Sequence, residues 1–211
     1  MKLAKASIED YVAAISECIE GLDQKPILVG HSMGGLLAQL IAAKYECEKL
    51  VLISSAPPAG INGFKWSVLR TFGKNFFLFP LWKKTTTLLL KNIQYGIANT
   101  QSAAIHKEII QATTLESGKA TWQISMWFLF RKPPTRVYYD NIKCPVLLIA
   151  GTEDKITPLE IQQKLAKKYS SKAELKVIEG ACHWTIGGSF FPEIKDAMFS
   201  WLNKNTALGA K

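Results

Sequence analysis

The stretch Lys25–Tyr45, KPILVGHSMGGLLAQLIAAKY, predicts a strand, a sharp turn and a helix in immediate succession. The apolar run Ile27–Val29 favours a short β-strand, and the GHSMG that follows at Gly30–Gly34 matches the pattern G-x-S-x-G. Leucine and isoleucine then recur at helical spacing over Leu36–Ile41. Glycines suit a serine on a strained strand-to-helix turn, because Cβ atoms there would collide with the adjacent strand and helix. The pattern is typical of a nucleophilic serine held on such a turn, and this is the first interpretation of Ser32. The alternative interpretation is a tight turn in which Ser32 merely caps the helix.

Further strands and helices on both sides of this stretch predict an α/β fold. Their continuous apolar strands are typical of a mostly parallel sheet covered on both faces. The predicted strands after Pro26–Gly30 are Lys49–Ser54, Pro145–Ala150 and Ala173–Glu179, about four in all, and the predicted helices besides Met33–Tyr45 are Ser7–Gly21, Pro158–Ser170 and Phe190–Leu202. Ser7 is expected to cap the first of these helices, with Asp10 as its acidic partner.

Residues 59–136 interrupt this alternation with many aromatic residues interleaved with lysine and arginine. Helical periodicity is plausible around 84–99, 102–116 and 120–130, and we see no strand-turn-strand pattern there. We therefore predict that 59–136 form an inserted helical cap, and that 1–58 and 137–211 form the core.

Composition narrows the classes of partner and cofactor. The 211 residues carry a formal net charge of +9, but the lysines are scattered and no nucleic-acid motif occurs. We expect a basic surface with weak attraction to anionic lipid and no binding of nucleic acid. No run of apolar residues is long enough to span a membrane, and MKLAKASIEDY lacks the apolar core of a signal peptide, so we expect a cytoplasmic protein.

The cysteines predict neither a metal site nor a disulfide framework. Cys18, Cys47, Cys144 and Cys182 show no C-x-x-C or zinc-ligand spacing. We expect free thiols in a reducing compartment, and no metal or organic cofactor is implied.

A serine nucleophile needs a base, and the chain has three histidines. His31 adjoins Ser32 on the turn, where neighbouring side chains point apart, and His106 lies in the predicted cap at a position suited to packing or the surface. His183 follows a predicted strand through a short loop, and open α/β sheets place their chemistry at the carboxyl ends of strands. His183 is therefore the expected base.

The orienting acid is expected in the loop after the strand Pro145–Ala150. Asp154 is the candidate there and Glu153 its competitor, and the alternative role for Asp154 is to cap the helix that begins near Pro158. The order Ser32, Asp154, His183 is the Ser…Asp…His order of hydrolases with a nucleophile elbow.

Three segments together make the sequence resemble the α/β-hydrolase family of serine esterases and lipases with a helical cap. They are GHSMGG at Gly30–Gly35, LLIAGTEDKITP at Leu147–Pro158 and GACHW at Gly180–Trp184. The resemblance implies Ser32 as nucleophile, His183 as general base, Asp154 as orienting acid and the Met33 N–H as an oxyanion donor. Relatives with an aspartate nucleophile are disfavoured because Ser32 occupies that position.

The sequence departs from the family pattern before Pro26. Family members normally carry several strands there and a loop that gives a second oxyanion donor, whereas the residues preceding Pro26 predict one helix. We therefore expect an N-terminally shortened sheet, and the strand Pro26–Gly30 at an open edge that favours self-association. Thioester, lactone and C–C bond cleavage stay open as reactions.

The leading hypothesis is a serine hydrolase that cleaves carboxylic esters of small or apolar acyl groups. The alternative is a catalytically impaired, truncated α/β-hydrolase that binds apolar ligands or lipid surfaces, suggested by the aromatic and basic segment Phe72–Lys84.

Overall fold

A parallel sheet forms the centre of the computed structural model, which describes residues 2–63, 65–76 and 79–204. Its strands are β1 (Ile27–His31), β2 (Lys49–Ile53), β5 (Val146–Gly151) and β6 (Ala173–Ile178), in the order β1-β2-β5-β6 with every pair parallel. A separate antiparallel pair joins β3 (Thr85–Thr86) to β4 (Glu116–Ser117). The predicted four-stranded parallel sheet is confirmed.

Helices lie on both faces of the parallel sheet and between its strands. The α-helices are α1 (Ile8–Glu20), α2 (Met33–Ala42), α3 (Trp66–Phe76), α4 (Leu90–Asn92), α5 (Ala103–Ala112), α6 (Gly118–Ser125), α7 (Leu159–Lys168) and α8 (Phe191–Lys204), and a π-helical turn covers Ile93–Ile97. Short 3₁₀ turns occur at Leu3–Lys5, Leu81–Lys83, Trp127–Leu129, Tyr139–Asn141 and Ser170–Lys172.

The two central strands are buried along their whole length because both faces of the sheet are covered. Leu50 and Leu52 of β2 point into a core formed with α2 and α7, whereas Val51 and Ile53 point into the opposite core with α8. This alternation follows from the period of two in a strand. It explains why both predicted strands read as continuous apolar runs.

Helix α1 begins at the predicted cap. The Ser7 side chain accepts a hydrogen bond from the Asp10 N–H at 3.2 Å, and the Asp10 carboxylate accepts from the Ser7 N–H at 2.8 Å. This reciprocal capping box satisfies two backbone donors that the helix itself leaves unpaired.

The prediction of helices alone between β2 and β5 was wrong in part. The expected helix over 84–99 is instead β3, an irregular link, α4 and the π-helical turn, and the expected helix over 102–116 gives way to β4 at Glu116. Three consecutive threonines from Thr85 favour extended backbone, because a branched Cβ restricts the side chain in a helix. Helix α3 was not predicted at all. The division into core and cap stays a prediction.

Strand β1 lies at an edge of the parallel sheet in the part of the chain that the structure describes. Ile27 and Val29 are 41% and 51% exposed. An exposed apolar edge favours pairing with another chain, and self-association through it stays a prediction. No helix among the described residues is long and apolar enough to cross a membrane.

Strand β1 and helix α2 approach each other so closely that a side chain at Gly30 has no room. A Cβ there would lie 2.3 Å from the Gly34 carbonyl oxygen, whereas a Cβ at Gly34 would meet no atom within 4 Å. We predict that Gly30→Ala lowers the free energy of unfolding by about 2 kcal/mol or more. Gly34→Ala, the matched control, should leave it unchanged or raise it by up to about 1 kcal/mol, because alanine favours a helix. Chemical denaturation of both variants measures the difference, and equal stabilities would contradict the close approach.

Candidate active site

Ser32 occupies the sharp turn between β1 and α2 in a strained backbone conformation. Its φ is 53° and its ψ is −121°, a region that residues with side chains rarely adopt. Two hydrogen bonds tie the turn to β2 and the loop after it: the Ser32 N–H donates to Ile53 O at 3.1 Å, and the Ala56 N–H donates to Ser32 O at 2.8 Å. The turn thus holds the Ser32 side chain above the carboxyl edge of the sheet.

The structure brings Ser32, His183 and Asp154 together in one chain of hydrogen bonds. His183 Nε2 lies 2.9 Å from Ser32 Oγ, and His183 Nδ1 lies 2.9 Å from Asp154 Oδ2. Asp154 follows β5 and His183 follows β6, so all three residues stand at the carboxyl ends of parallel strands. The competitor Glu153 is exposed to solvent.

The Asp154 carboxylate is buried but well supplied with hydrogen-bond donors. Oδ1 accepts from the N–H groups of Ile156 and Thr157, each at 2.8 Å, and the Thr157 hydroxyl lies 2.9 Å from Oδ2. Burial alone would raise the pKa of Asp154, but the charge and hydrogen bond of His183 and the two backbone donors outweigh it and lower the pKa to about 2. Asp154 is therefore ionised near neutral pH and can accept a hydrogen bond from His183 Nδ1.

The other two histidines lie where they cannot serve Ser32 as a base. His31 Nε2 is 2.9 Å from the His183 carbonyl oxygen, and burial, together with the nearby His183, lowers the pKa of His31 to about 4. A neutral His31 therefore donates to the backbone of the histidine that contacts Ser32. His106 lies on α5 with its Nε2 2.8 Å from Ala98 O.

Met33 is the first residue of α2, directly after Ser32. The first N–H groups of a helix have no acceptor within the helix, and the helix dipole adds positive potential there. The Met33 N–H is therefore available, beside Ser32 Oγ, to a negatively charged oxygen.

Contacts from the segment between β2 and β5 support both loops of the site, which the sequence did not indicate. The Trp184 N–H donates to Ile97 O at 2.8 Å, Asn99 Nδ2 donates to Glu153 O at 3.1 Å, and the Ser189 N–H donates to Gln101 Oε1 at 3.1 Å. Residues 97–101 thus contact the loop of Asp154 and the loop of His183.

Thr157 was also missed, although a signal was present. An aspartate whose side chain accepts backbone N–H groups two and three residues later forms a local turn, and D-K-I-T followed by a proline-started helix is compatible with one. The Thr157 hydroxyl lies 3.1 Å from Ser54 O as well as beside Asp154. It therefore links the end of β2 to the acidic residue.

A cavity of about 870 Å³ opens beside Ser32. Ser32, Met33, His31 and His183 form one part of its wall, and the wall is mostly apolar elsewhere, with side chains that include Ile61, Val68, Leu88, Ile97, Leu115 and Trp127. A substrate whose reacting carbonyl lies at Ser32 thus has apolar room beside it.

Among the described residues, no group of three or more His, Cys, Asp and Glu side chains is arranged to hold a metal ion. His183 instead hydrogen-bonds Asp154 through Nδ1 and Ser32 through Nε2.

Comparison with known proteins points to one family. The family model Hydrolase_4, described as serine aminopeptidase S33, matches residues 3–188. Similar solved structures include the monoacylglycerol lipase of Paleococcus ferrophilus, with 24% identity, a TM-score of 0.67, and coverage of 95% of this chain and 77% of that one. A thermophilic esterase from Thermogutta terrifontis (malate bound) has 22% identity, a TM-score of 0.66, and coverage of 94% and 73%. A variant of tomato methylketone synthase I complexed with beta-ketoheptanoate has 18% identity, a TM-score of 0.65, and coverage of 94% and 79%.

The depressed pKa of Asp154 predicts a specific loss of stability in acid. The folded pKa of about 2 lies below the ordinary value of 3.8, so the unfolded chain binds a proton more readily. The carboxylate therefore contributes stability above about pH 4, up to about 2 kcal/mol, and loses it as the pH falls towards 2. We predict that Asp154→Asn flattens the fall in the free energy of unfolding between pH 5 and 2, measured by urea denaturation. The exposed Glu153→Gln variant should show the same pH dependence as the unmodified chain. If Asp154→Asn also shows the slope of the unmodified chain, the pH dependence does not come from Asp154.

Proposed function

We propose that this chain, which belongs to the Hydrolase_4 family (serine aminopeptidase, S33) of α/β-hydrolases, is a serine hydrolase that cleaves carboxylic esters of small or apolar acyl groups. The observation that carries the proposal is the hydrogen-bonded chain from Ser32 through His183 to Asp154 at the wall of an apolar cavity. The structures of esterases and a lipase among its neighbours support the same reaction class.

The proposed reaction begins at Ser32. His183 Nε2, 2.9 Å from Ser32 Oγ, takes the hydroxyl proton as Oγ attacks the ester carbonyl. The imidazolium that forms is stabilised by the Asp154 carboxylate at Nδ1. His183 then gives the proton to the departing alcohol, which leaves an acyl group on Ser32.

Hydrolysis of the acyl-enzyme uses the same groups in reverse. His183 accepts a proton from water as the water oxygen attacks the acyl carbonyl, and returns it to Ser32 Oγ as the acid leaves. Asp154 keeps its charge throughout, because its surroundings lower the pKa of its carboxyl group to about 2. His31, held neutral by burial, positions His183 through its carbonyl oxygen.

Negative charge develops on the carbonyl oxygen in both steps. The Met33 N–H at the start of α2 is the proposed donor to this oxygen, aided by the helix dipole. One donor of this kind typically contributes about 10²–10³ in turnover.

The apolar cavity argues for esters of acyl chains over charged or peptide-like substrates. Most of its lining comes from the segment 59–136, which we propose as a helical cap over the core of 1–58 and 137–211. The reacting triad does not itself distinguish an ester from an amide; the cavity wall is the feature that favours a small-molecule ester with an apolar acyl group.

A second candidate function is binding to apolar ligands or lipid surfaces without turnover. Trp66, Phe79 and Phe128 expose 75%, 76% and 61% of their surface, which suits an apolar interface. The segment Phe72–Lys84 that suggested this alternative includes residues 77 and 78, which lie outside the described part of the chain.

Hydrolysis of p-nitrophenyl butyrate tests the ester reaction directly. We predict that Ser32→Ala abolishes turnover above background and that Asp154→Asn lowers kcat by about 10³–10⁴, because the imidazole loses its orienting acid. Glu153→Gln, adjacent and exposed, should keep activity within about twofold. Circular dichroism confirms that each variant is folded. A folded chain that shows no Ser32-dependent turnover but co-sediments with liposomes would overturn the enzymatic proposal in favour of the second candidate.

The cavity predicts a preference for longer acyl chains. Each added methylene that enters apolar surroundings is worth about 0.8 kcal/mol, so kcat/KM should rise about two- to fourfold per methylene from acetyl to octanoyl p-nitrophenyl esters. Leu115, 54% exposed, lines the cavity, and Leu129, 61% exposed, is a surface leucine outside its lining. Leu115→Glu should therefore flatten the chain-length profile while Leu129→Glu should not. A profile that is flat in the unmodified chain would contradict the proposed acyl site.

A further inference from the structure

Two cysteines lie in contact at the end of the sheet away from Ser32, although 97 positions separate them in the sequence. Cys47 precedes β2 and Cys144 precedes β5, and these strands are neighbours. The Leu50 N–H donates to Pro145 O at 3.1 Å, so the two chain segments enter the sheet side by side. The Sγ atoms are 3.1 Å apart, about 1 Å longer than a disulfide bond, and both thiols are free.

We propose that Cys47 and Cys144 are a redox-active pair that forms an intramolecular disulfide when the chain meets a low-molecular-weight disulfide such as glutathione disulfide. The sulfur contact, the parallel entry of the two segments and the difference in burial between the two thiols together carry this proposal. It is independent of the reaction proposed at Ser32.

The surroundings of the pair favour a thiolate on the buried member. Cys144 is 7% exposed, and Cys47 is half-buried. The hydrogen bond with Cys47 lowers the pKa of the Cys144 thiol, burial opposes this, and the Lys172 ammonium lowers it further. The same contact and burial raise the pKa of Cys47. The pair thus loses its first proton at Cys144, beside a lysine whose Nζ is held 2.6 Å from Ile142 O.

The more accessible sulfur must meet the oxidant first. After one proton has left the pair, the remaining proton can lie on either sulfur across the 3.1 Å contact. While that proton lies on Cys144, Cys47 Sγ is the thiolate that attacks glutathione disulfide. An S–S bond forms between Cys47 and one glutathione, and the second glutathione leaves as a thiolate. Cys144 then loses its proton to solvent and attacks Cys47 Sγ, which releases the first glutathione. Two protein thiols are oxidised by two electrons, and one glutathione disulfide is reduced to two glutathione molecules.

The disulfide would link the entry of β2 to the entry of β5 and so enclose β2 and the whole segment 59–136 between its two ends. A crosslink around so long a loop restricts the unfolded chain strongly. Ser32, Asp154 and His183 lie at the carboxyl ends of the strands, and the two cysteines lie at the opposite, amino ends. We therefore expect oxidation to raise thermal stability and to leave the geometry of the three residues unchanged.

The test compares the unmodified chain with Cys47→Ser and with Cys18→Ser, which removes an exposed thiol outside the pair. Each protein is incubated with glutathione disulfide in about tenfold excess over glutathione, remaining thiols are alkylated, and peptides are mapped by mass spectrometry without reduction. We expect the unmodified chain and Cys18→Ser to yield the linked peptides of Cys47 and Cys144, and the melting temperature to rise by about 5 °C or more and to fall again with dithiothreitol. Cys47→Ser should show neither change.

Either of two results would overturn the proposal. One is alkylation of both Cys47 and Cys144 after this treatment in a folded protein. The other is a disulfide that joins Cys18 or Cys182 in place of the pair. The two readouts are the mass of the linked peptides and the melting temperature, so the test does not depend on esterase activity.

Discussion

The whole of the candidate site depends on how closely β1 and α2 approach each other. Without a side chain at Gly30, the backbone of the strand lies against the carbonyl group of Gly34. The turn between them is then tight enough to put Ser32 in a rare backbone conformation. Ile53 O at the end of β2 and the Ala56 N–H in the loop after β2 hold it there. Strain at this residue is therefore supported by ordinary backbone hydrogen bonds, and the helix that begins at Met33 supplies its dipole to the same point.

The buried Asp154 shows a second constraint, which is electrostatic. A carboxylate without contact with water is costly unless its oxygens are paired, and here two backbone N–H groups, the Thr157 hydroxyl and His183 all face it. Three of these four hydrogen bonds come from Ile156 and Thr157 in the turn itself, and only one comes from His183. The acid is thus fixed by its own loop, and His183 meets an anion whose position does not depend on the imidazole.

The sequence was most informative where local chemistry and position in the sheet agree. Short sequence patterns predicted the strands β2 and β5, the capping box at Ser7 and Asp10, and the loops that carry Asp154 and His183. The segment between β2 and β5 was harder, because its short elements are set by contacts with distant residues: β3 exists only through pairing with β4, and Gly96 in the π-helical turn lies against Thr71 of α3. Helical periodicity cannot reveal such partners. The contact of Cys47 with Cys144 was not predicted for the same reason, because the spacing of residues along the chain does not show which distant loops lie together.

Residues 97–101 give the segment between β2 and β5 a role beyond lining a cavity. Ile97 lines that cavity while its carbonyl group accepts from Trp184, and Asn99 and Gln101 bond to the loops of Asp154 and His183. Different stretches of this segment are therefore not equivalent in their effect on the candidate site. A residue inserted between Ile97 and Gln101 would disturb the contacts with both loops at once. In this short stretch, a change that reshapes the cavity wall would therefore also move the loops that carry Asp154 and His183.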